Sequence, residues 1–152
     1  MSCLLISYFI NSNLSAKNYV AGVFIDMKKA LFDVLDHDKL LVKLENIDIR
    51  GPVLNVFKSS LNNRKFVVKI SKEISEKCEL DRGVPQGSNL GPILFILYMN
   101  DLFPLLNKCF VNIFADDIVI LYPHKDFAVC QSVIQSEFNI VTEWCHDNGF
   151  FN

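Results

Sequence analysis

Apolar and polar positions along this chain fall into blocks whose period changes several times. After 18 residues with no clear period, "YVAGVFID" at residues 19 to 26 is a continuous apolar run closed by Asp26, the pattern of a buried strand. "DHDKLLVKLENI" switches to helical spacing. Leu40, Leu41, Leu44 and Ile47 share one face there, and Asp36 or Asp38 stands where a cap is needed. Pro52 suits the first turn of a second helix bearing Leu54, Phe57 and Leu61 on one side. "RKFVVKI" and "KCELDRG" predict a β-hairpin across a polar connection, and "VPQGSNLGP" a glycine-containing loop feeding a buried helix in "ILFILYMNDL". In "VNIFADDIVILY" two apolar strands flank Asp116 and Asp117, which predicts a hairpin with the acidic pair as its turn. From about Asp126 to Asn148, Phe127, Cys130, Val133, Ile134, Phe138, Val141 and Trp144 recur as one helical face. The element order, strand, two helices, hairpin, helix, hairpin and helix, predicts an α+β sandwich of sheet against helices.

Composition narrows the class. At 152 residues, 51% of them apolar and 21% charged, the chain suits one globular domain and excludes a disordered tail or a fibre. Thirteen phenylalanines and a mean hydropathy of +0.26 raise the question of a membrane. The longest uncharged apolar run, "LGPILFILYM" at residues 90 to 99, falls well short of the roughly 20 residues a spanning helix needs. No span and no membrane partner are expected. The start, "MSCLLISYFI", has neither a basic region nor a cleavage site, so no signal peptide is expected. The apolar excess instead points to surfaces made to be covered by partners. Five scattered cysteines without a CxxC pair indicate reduced thiols in an intracellular protein, with nucleus and cytoplasm not distinguished. Zinc is not expected, because Cys145 and His146 lack further ligands at zinc spacing. A net charge of −2 gives no overall basic footprint, so a nucleic-acid partner requires local positive charge.

The acidic pair carries the candidate chemistry. Asp-Asp is a poor two-residue turn compared with Asn-Gly or Asp-Gly, and adjacent carboxylates near a core either shift in protonation or require a cation. An exposed polar turn is the plain alternative. Asp26 ends one predicted strand, and antiparallel pairing with the hairpin would gather Asp26, Asp116 and Asp117 at one edge. Such a set binds divalent ions, and two ions about 4 Å apart serve phosphoryl transfer.

"GVFIDMKKALFDVLDHDKLL", "LNNRKFVVKI", "GVPQGSNLGPILFILYMNDL", "FADDIVIL" and "VTEWCHDNGFFN" occur in order and at fitting distances. Together they resemble the reverse transcriptases of non-LTR retrotransposons, from about residue 19 to the end. The resemblance implies a polymerase palm-like antiparallel sheet packed on helices, with partial fingers and no thumb. It gives residues 1–18 as an indistinct segment and 19–152 as a partial palm domain. By the resemblance, Asp26 is the first metal ligand, Asp116 the second and Asp117 the neighbouring acidic residue. The expected metal is Mg²⁺, with Mn²⁺ able to substitute. Expected partners are an RNA template, a DNA primer, deoxynucleoside triphosphates, and the missing fingers and thumb segments or a partner chain supplying them. Gln86, Gly87 and Ser88 resemble the loop beneath the templating base and incoming nucleotide. A turn at Pro85 and Gly87 with Ser88 or Asn89 as a helix cap reads the same residues without a ligand. Phe114 stands where many relatives have Tyr. Arg64 and Lys65 are candidate contacts to a nucleic-acid backbone, or a solvated basic pair.

Two departures from the family pattern matter. Relatives usually read Lys-Ala-Phe-Asp where this chain has Lys29-Ala30-Leu31-Phe32-Asp33, so Leu31 stands as an insertion and Phe32 is displaced from the sugar-facing place. In a helix one extra residue turns every later position by about 100°. The second is the span, which omits the family's preceding fingers and following thumb. Two readings of function therefore stand: an RNA-directed DNA polymerase domain, a nucleotidyltransferase adding deoxynucleotides to a primer 3′-hydroxyl, or an inactive retrotransposon-derived remnant that at most binds protein or RNA.

Overall fold

Ile118, Val119, Ile120 and Leu121 are all buried, which is why they form an unbroken apolar run rather than an alternating one: their strand is the middle of a three-stranded sheet with a cover on each face. The computed structural model of the chain describes residues 2–27, 35–62, 64–80, 82–84, 90–114 and 117–150. It divides into two compact units, one formed by Met1–Lys28 with Met99–Asn152 and the other by Lys29–Tyr98.

The first unit begins with helix α1 (Ser2–Ser15) and strand β1 (Tyr19–Asp26). In the second unit, α2 (His37–Asn46) and α3 (Gly51–Leu61) are followed by β2 (Arg64–Phe66), β3 (Lys69–Ile70), β4 (Glu73–Ile74), β5 (Cys78–Leu80) and α4 (Gly91–Met99). The first unit then resumes with a 3₁₀ turn (Phe103–Leu105), β6 (Phe110–Phe114), β7 (Asp117–His124) and α5 (Phe127–Asp147).

In the first unit the strand order is β1-β7-β6, antiparallel throughout. Strand β1 pairs with β7 over eight rungs, from Tyr19 opposite His124 to Asp26 opposite Asp117. Side chains alternate across the sheet, so Gly22, Phe24 and Asp26 share a face with Leu121, Val119 and Asp117. Helix α1 lies on that face. Its Phe9 ring stacks on Phe110 at 4.4 Å, and Ile6 reaches the neighbourhood of Phe24. Burial of Ile118 and Ile120, together with the edge-on contact of Tyr19 and Phe127 at 5.8 Å, puts α5 on the opposite face. The ends of α5 are set by Asp126, whose carboxylate accepts from the Ala128 amide at 2.8 Å, and by Asn148, whose amide donates to the Trp144 carbonyl at 3.0 Å.

In the second unit, Asp36 caps α2 by accepting from the Lys39 amide at 3.1 Å, and Leu40 and Leu44 are fully buried on its inner face. Pro52 occupies the first turn of α3, whose Leu54 and Leu61 are buried. Strands β2 and β5 pair as a hairpin base. The polar connection beyond it pairs again as β3 and β4 and turns at Ser71 with φ of 57°.

Three expectations need correction. Asp117 is not in a turn: it begins β7, where pairing with Asp26 on one side and Phe114 on the other holds it extended in the ladder. Phe127 and Phe138 are exposed rather than part of the buried face of α5, and Glu137 takes an inward place beside Val141. At 100° per residue, position 137 lies near the line through Cys130 and Val141, whereas 138 falls on its flank. Residues 2–15, with no legible period, form a helix because Ile6, Phe9, Ile10 and Asn13 turn toward the sheet while Leu4, Leu5, Tyr8 and Leu14 stay exposed.

Candidate active site

The last rung of the β1–β7 ladder carries two carboxylates. Asp26 and Asp117 are directly opposite, point to the same side of the sheet, and are both exposed. Cross-strand partners hold their Cβ atoms about 4.5–5.5 Å apart, so the two carboxyl groups are within reach of one cation. Each is delivered by the rigid ladder rather than by a loop. Phe114, the next residue along this rung, is opposite Asp117 on β6 and is 64% exposed. Behind the carboxylates lies a cleft of about 310 Å³ between α1 and the sheet, lined by Cys3, Ile6, Phe24, Asn112 and Val119 together with Phe114, Asp26 and Asp117. Its floor is apolar and its rim acidic.

The donor set suits a hard divalent ion, since carboxylate oxygens on an accessible edge are what such an ion takes. Among the described residues, no group of three or more His, Cys, Asp or Glu side chains comes together as a metal cluster. Asp116, the second ligand by resemblance, lies outside the described residues, as do Leu31, Phe32, Gln86, Gly87 and Ser88. The structure thus brings together Asp26, Asp117 and Phe114. Arg64 and Lys65 belong to the other unit, on β2, where Lys65 pairs with Glu79 at 3.2 Å and Arg64 is half-buried.

Two polar residues with buried positions escaped the sequence reading. Glu137 is fully buried and neither carboxylate oxygen has a hydrogen-bond partner. Its charge helps burial to push the neighbouring Cys109 thiol up to about 11, with Lys108 opposing. His37 is 8% exposed and its Nε2 donates to the Gly83 carbonyl at 2.7 Å. The signal for His37 was its phase, three residues before Leu40 and seven before Leu44. Among the described residues, no helix is long and apolar enough to cross a membrane.

An antiparallel three-stranded sheet with paired aspartates on its end rung and helices on both faces is the pattern of a template-directed polymerase palm. The family profile described as reverse transcriptase (RNA-dependent DNA polymerase) matches residues 4–151, and the chain belongs to that family. It is similar to the probable RNA-directed DNA polymerase from transposon BS of Drosophila melanogaster, 34% identical over 85% of this chain and 15% of that protein. It is likewise similar to the RNA-directed DNA polymerase from mobile element jockey of the same species, 29% identical over 86% of this chain and 15% of that protein. These are non-LTR retrotransposon proteins, the branch whose motifs the chain shares. The chain spans about one seventh of their length. Among solved structures, an apo telomerase from Candida tropicalis truncated from its C-terminal domain shares the fold, with a TM-score of 0.63 at 17% identity over 95% of this chain and 32% of that one.

Proposed function

We propose that this reverse transcriptase domain adds deoxynucleotides to the 3′-hydroxyl of a DNA primer annealed to an RNA template, with residues 19–152 as its palm-containing part. The observation that carries the reading is the placement of Asp26 opposite Asp117 on the last rung of an eight-rung ladder, in a chain of this family. Asp26, Asp117 and Asp116 would hold divalent cations, Mg²⁺ or Mn²⁺. When bound, such ions sharpen the primer hydroxyl as a nucleophile and neutralise charge on the departing pyrophosphate. The chain's own contribution is placement: strands fix the carboxylates before substrate arrives, so little reorganisation is required at the moment of reaction. Phe114, apolar and exposed beside Asp117, offers a surface for the primer end to rest on. Leu31 and Phe32 at the sugar, and Gln86, Gly87 and Ser88 beneath the base pair, complete the nucleotide site in this reading. It operates inside the cell, with fingers and thumb contributed by flanking segments or a partner chain.

The test is primer extension on an RNA template with Mg²⁺ or Mn²⁺, using the chain with and without fingers and thumb segments of a non-LTR relative. Wild-type incorporation should fall by roughly a hundredfold or more in Asp26→Asn, and as far in Asp117→Asn. No incorporation by the wild type in either format would overturn the reading in favour of an inactive remnant.

A further inference from the structure

The N-terminus of α2 is fastened to a distant piece of chain. Gly83 is held from two sides: its amide donates to the Leu35 carbonyl at 2.7 Å, and its carbonyl accepts from His37 Nε2 at 2.7 Å. Beside them Asp36 and Arg82 form an antiparallel bridge. Gly83 has φ of +74°, a left-handed conformation that a side chain disfavours, at the residue the imidazole grips. The grip is anchored on the α2 side as well, by the Asp36 cap and by Leu40 and Leu44, which turn His37 inward on the same helical stripe. A buried imidazole without a partner costs free energy, and a carbonyl oxygen can only accept, so Nε2 carries the proton.

The two joined segments have a shared significance in the chain. Residues 35–37 follow Leu31 and Phe32 by a few positions, and residues 82–84 precede Gln86, Gly87 and Ser88 by a few. We propose that His37 is a positioning residue: by holding Gly83 to the start of α2, it fixes the spacing between the two segments that lead to the sugar and base contacts of the incoming nucleotide. The inference rests on the polymerase reading above for its effect on nucleotide, and on the described residues alone for its geometry.

The full chain is compared with His37→Leu, which removes the donor, and His37→Gln, which keeps an N–H at similar reach. By hydrogen exchange, His37→Leu should speed amide exchange at the described residues 82–84 roughly tenfold, the factor that losing one buried hydrogen bond carries, with peptides from β1, β7 and α5 unchanged. In primer extension it should raise KM for the deoxynucleotide roughly tenfold at nearly constant kcat, and His37→Gln should restore both readouts. Unchanged exchange in His37→Leu, or a fall in kcat at constant KM, overturns the proposal. If His37→Leu loses protection throughout the chain, His37→Gln decides: wild-type exchange and KM support the role, and raised KM with unchanged exchange ends it. A wild type that extends no primer counts against the polymerase reading, while exchange still decides whether His37 holds residues 82–84.

Discussion

Asp26 and Asp117 face each other across their rung, and like charges directly opposite destabilise an antiparallel pair. In the proposed function the same pair holds cations, so function and stability would oppose each other here. In metal-free buffer Asp117→Asn should raise Tm by about 1–3 °C while losing activity, and added Mg²⁺ should raise the Tm of the wild type more than that of the variant. Calorimetry reads both, and a lower Tm in Asp117→Asn would show that the pair is not repulsive. The thiols make a second prediction at this scale. Burial pushes Cys145 up to about 11 from 9.0, and burial reinforced by Glu137 does the same for Cys109. In the unfolded chain both ionise near 9, so their contribution to stability is intact below pH 9 and is lost as pH rises toward 11. Melting temperature measured from pH 8 to 11 should fall over that window, less steeply in Cys145→Ala. At neutral pH the exposed Cys3 and Cys78 should take up maleimide ahead of Cys109, Cys130 and Cys145.

Among the elements, α5 is the most exposed to correction by a single substitution. Glu137 sits at its buried centre with both oxygens unpartnered, a cost of roughly 1–3 kcal/mol for a polar group taken from water. Glu137→Met keeps the length and removes the penalty, so denaturant unfolding should show a gain of that order, whereas a loss would mean that the carboxylate is satisfied in solution. Gly22 on β1 acts in the opposite sense: a Cβ there would come 2.6 Å from Leu121 Cδ2, whose side chain is buried, so Gly22→Ala should lower stability by about 1–3 kcal/mol. The elements that could be read in the sequence were those where period, cap and length agreed: β1 ends on Asp26 as its apolar run does, and α5 runs between Asp126 and Asn148. Helix α1 was hidden because apolar residues surround it, leaving no stripe to detect. Strands β3 and β4 were hidden because their turn uses Ser71 instead of a glycine or asparagine. Glu137 and His37 were hidden because a polar residue on a core face contradicts the pattern that reveals the face. At the site, the presence of Asp26 and Asp117 was legible, but their being opposite one another depends on the register of the ladder, which was hidden while Asp117 was read as part of a turn.

For the molecule as a whole, the net charge of −2 conceals an uneven distribution. The unit bearing the carboxylates has eight acidic and four basic residues, while Lys29–Tyr98 has nine and eleven. The local positive charge that a nucleic-acid partner needs is therefore in the second unit, where the hairpin region 64–82 alone holds six Lys and Arg. Replacing exposed Lys69 and Lys72 with Glu should weaken binding of a primer–template duplex and flatten its dependence on salt, by a slope of up to about 2 if each side chain meets a phosphate. Binding titrations at several salt concentrations measure the slope, and an unchanged slope would place the contact elsewhere. The eight-rung ladder also bears on which length changes this lineage of sequences can survive. Because sidedness repeats every two residues, one residue inserted in the paired part of β1 reverses the facing of everything beyond it and turns Asp26 away from Asp117, whereas two restore it. The strand thus acts as a parity filter on insertions and deletions. Leu31, an odd insertion, lies five residues past the last rung and escapes that filter.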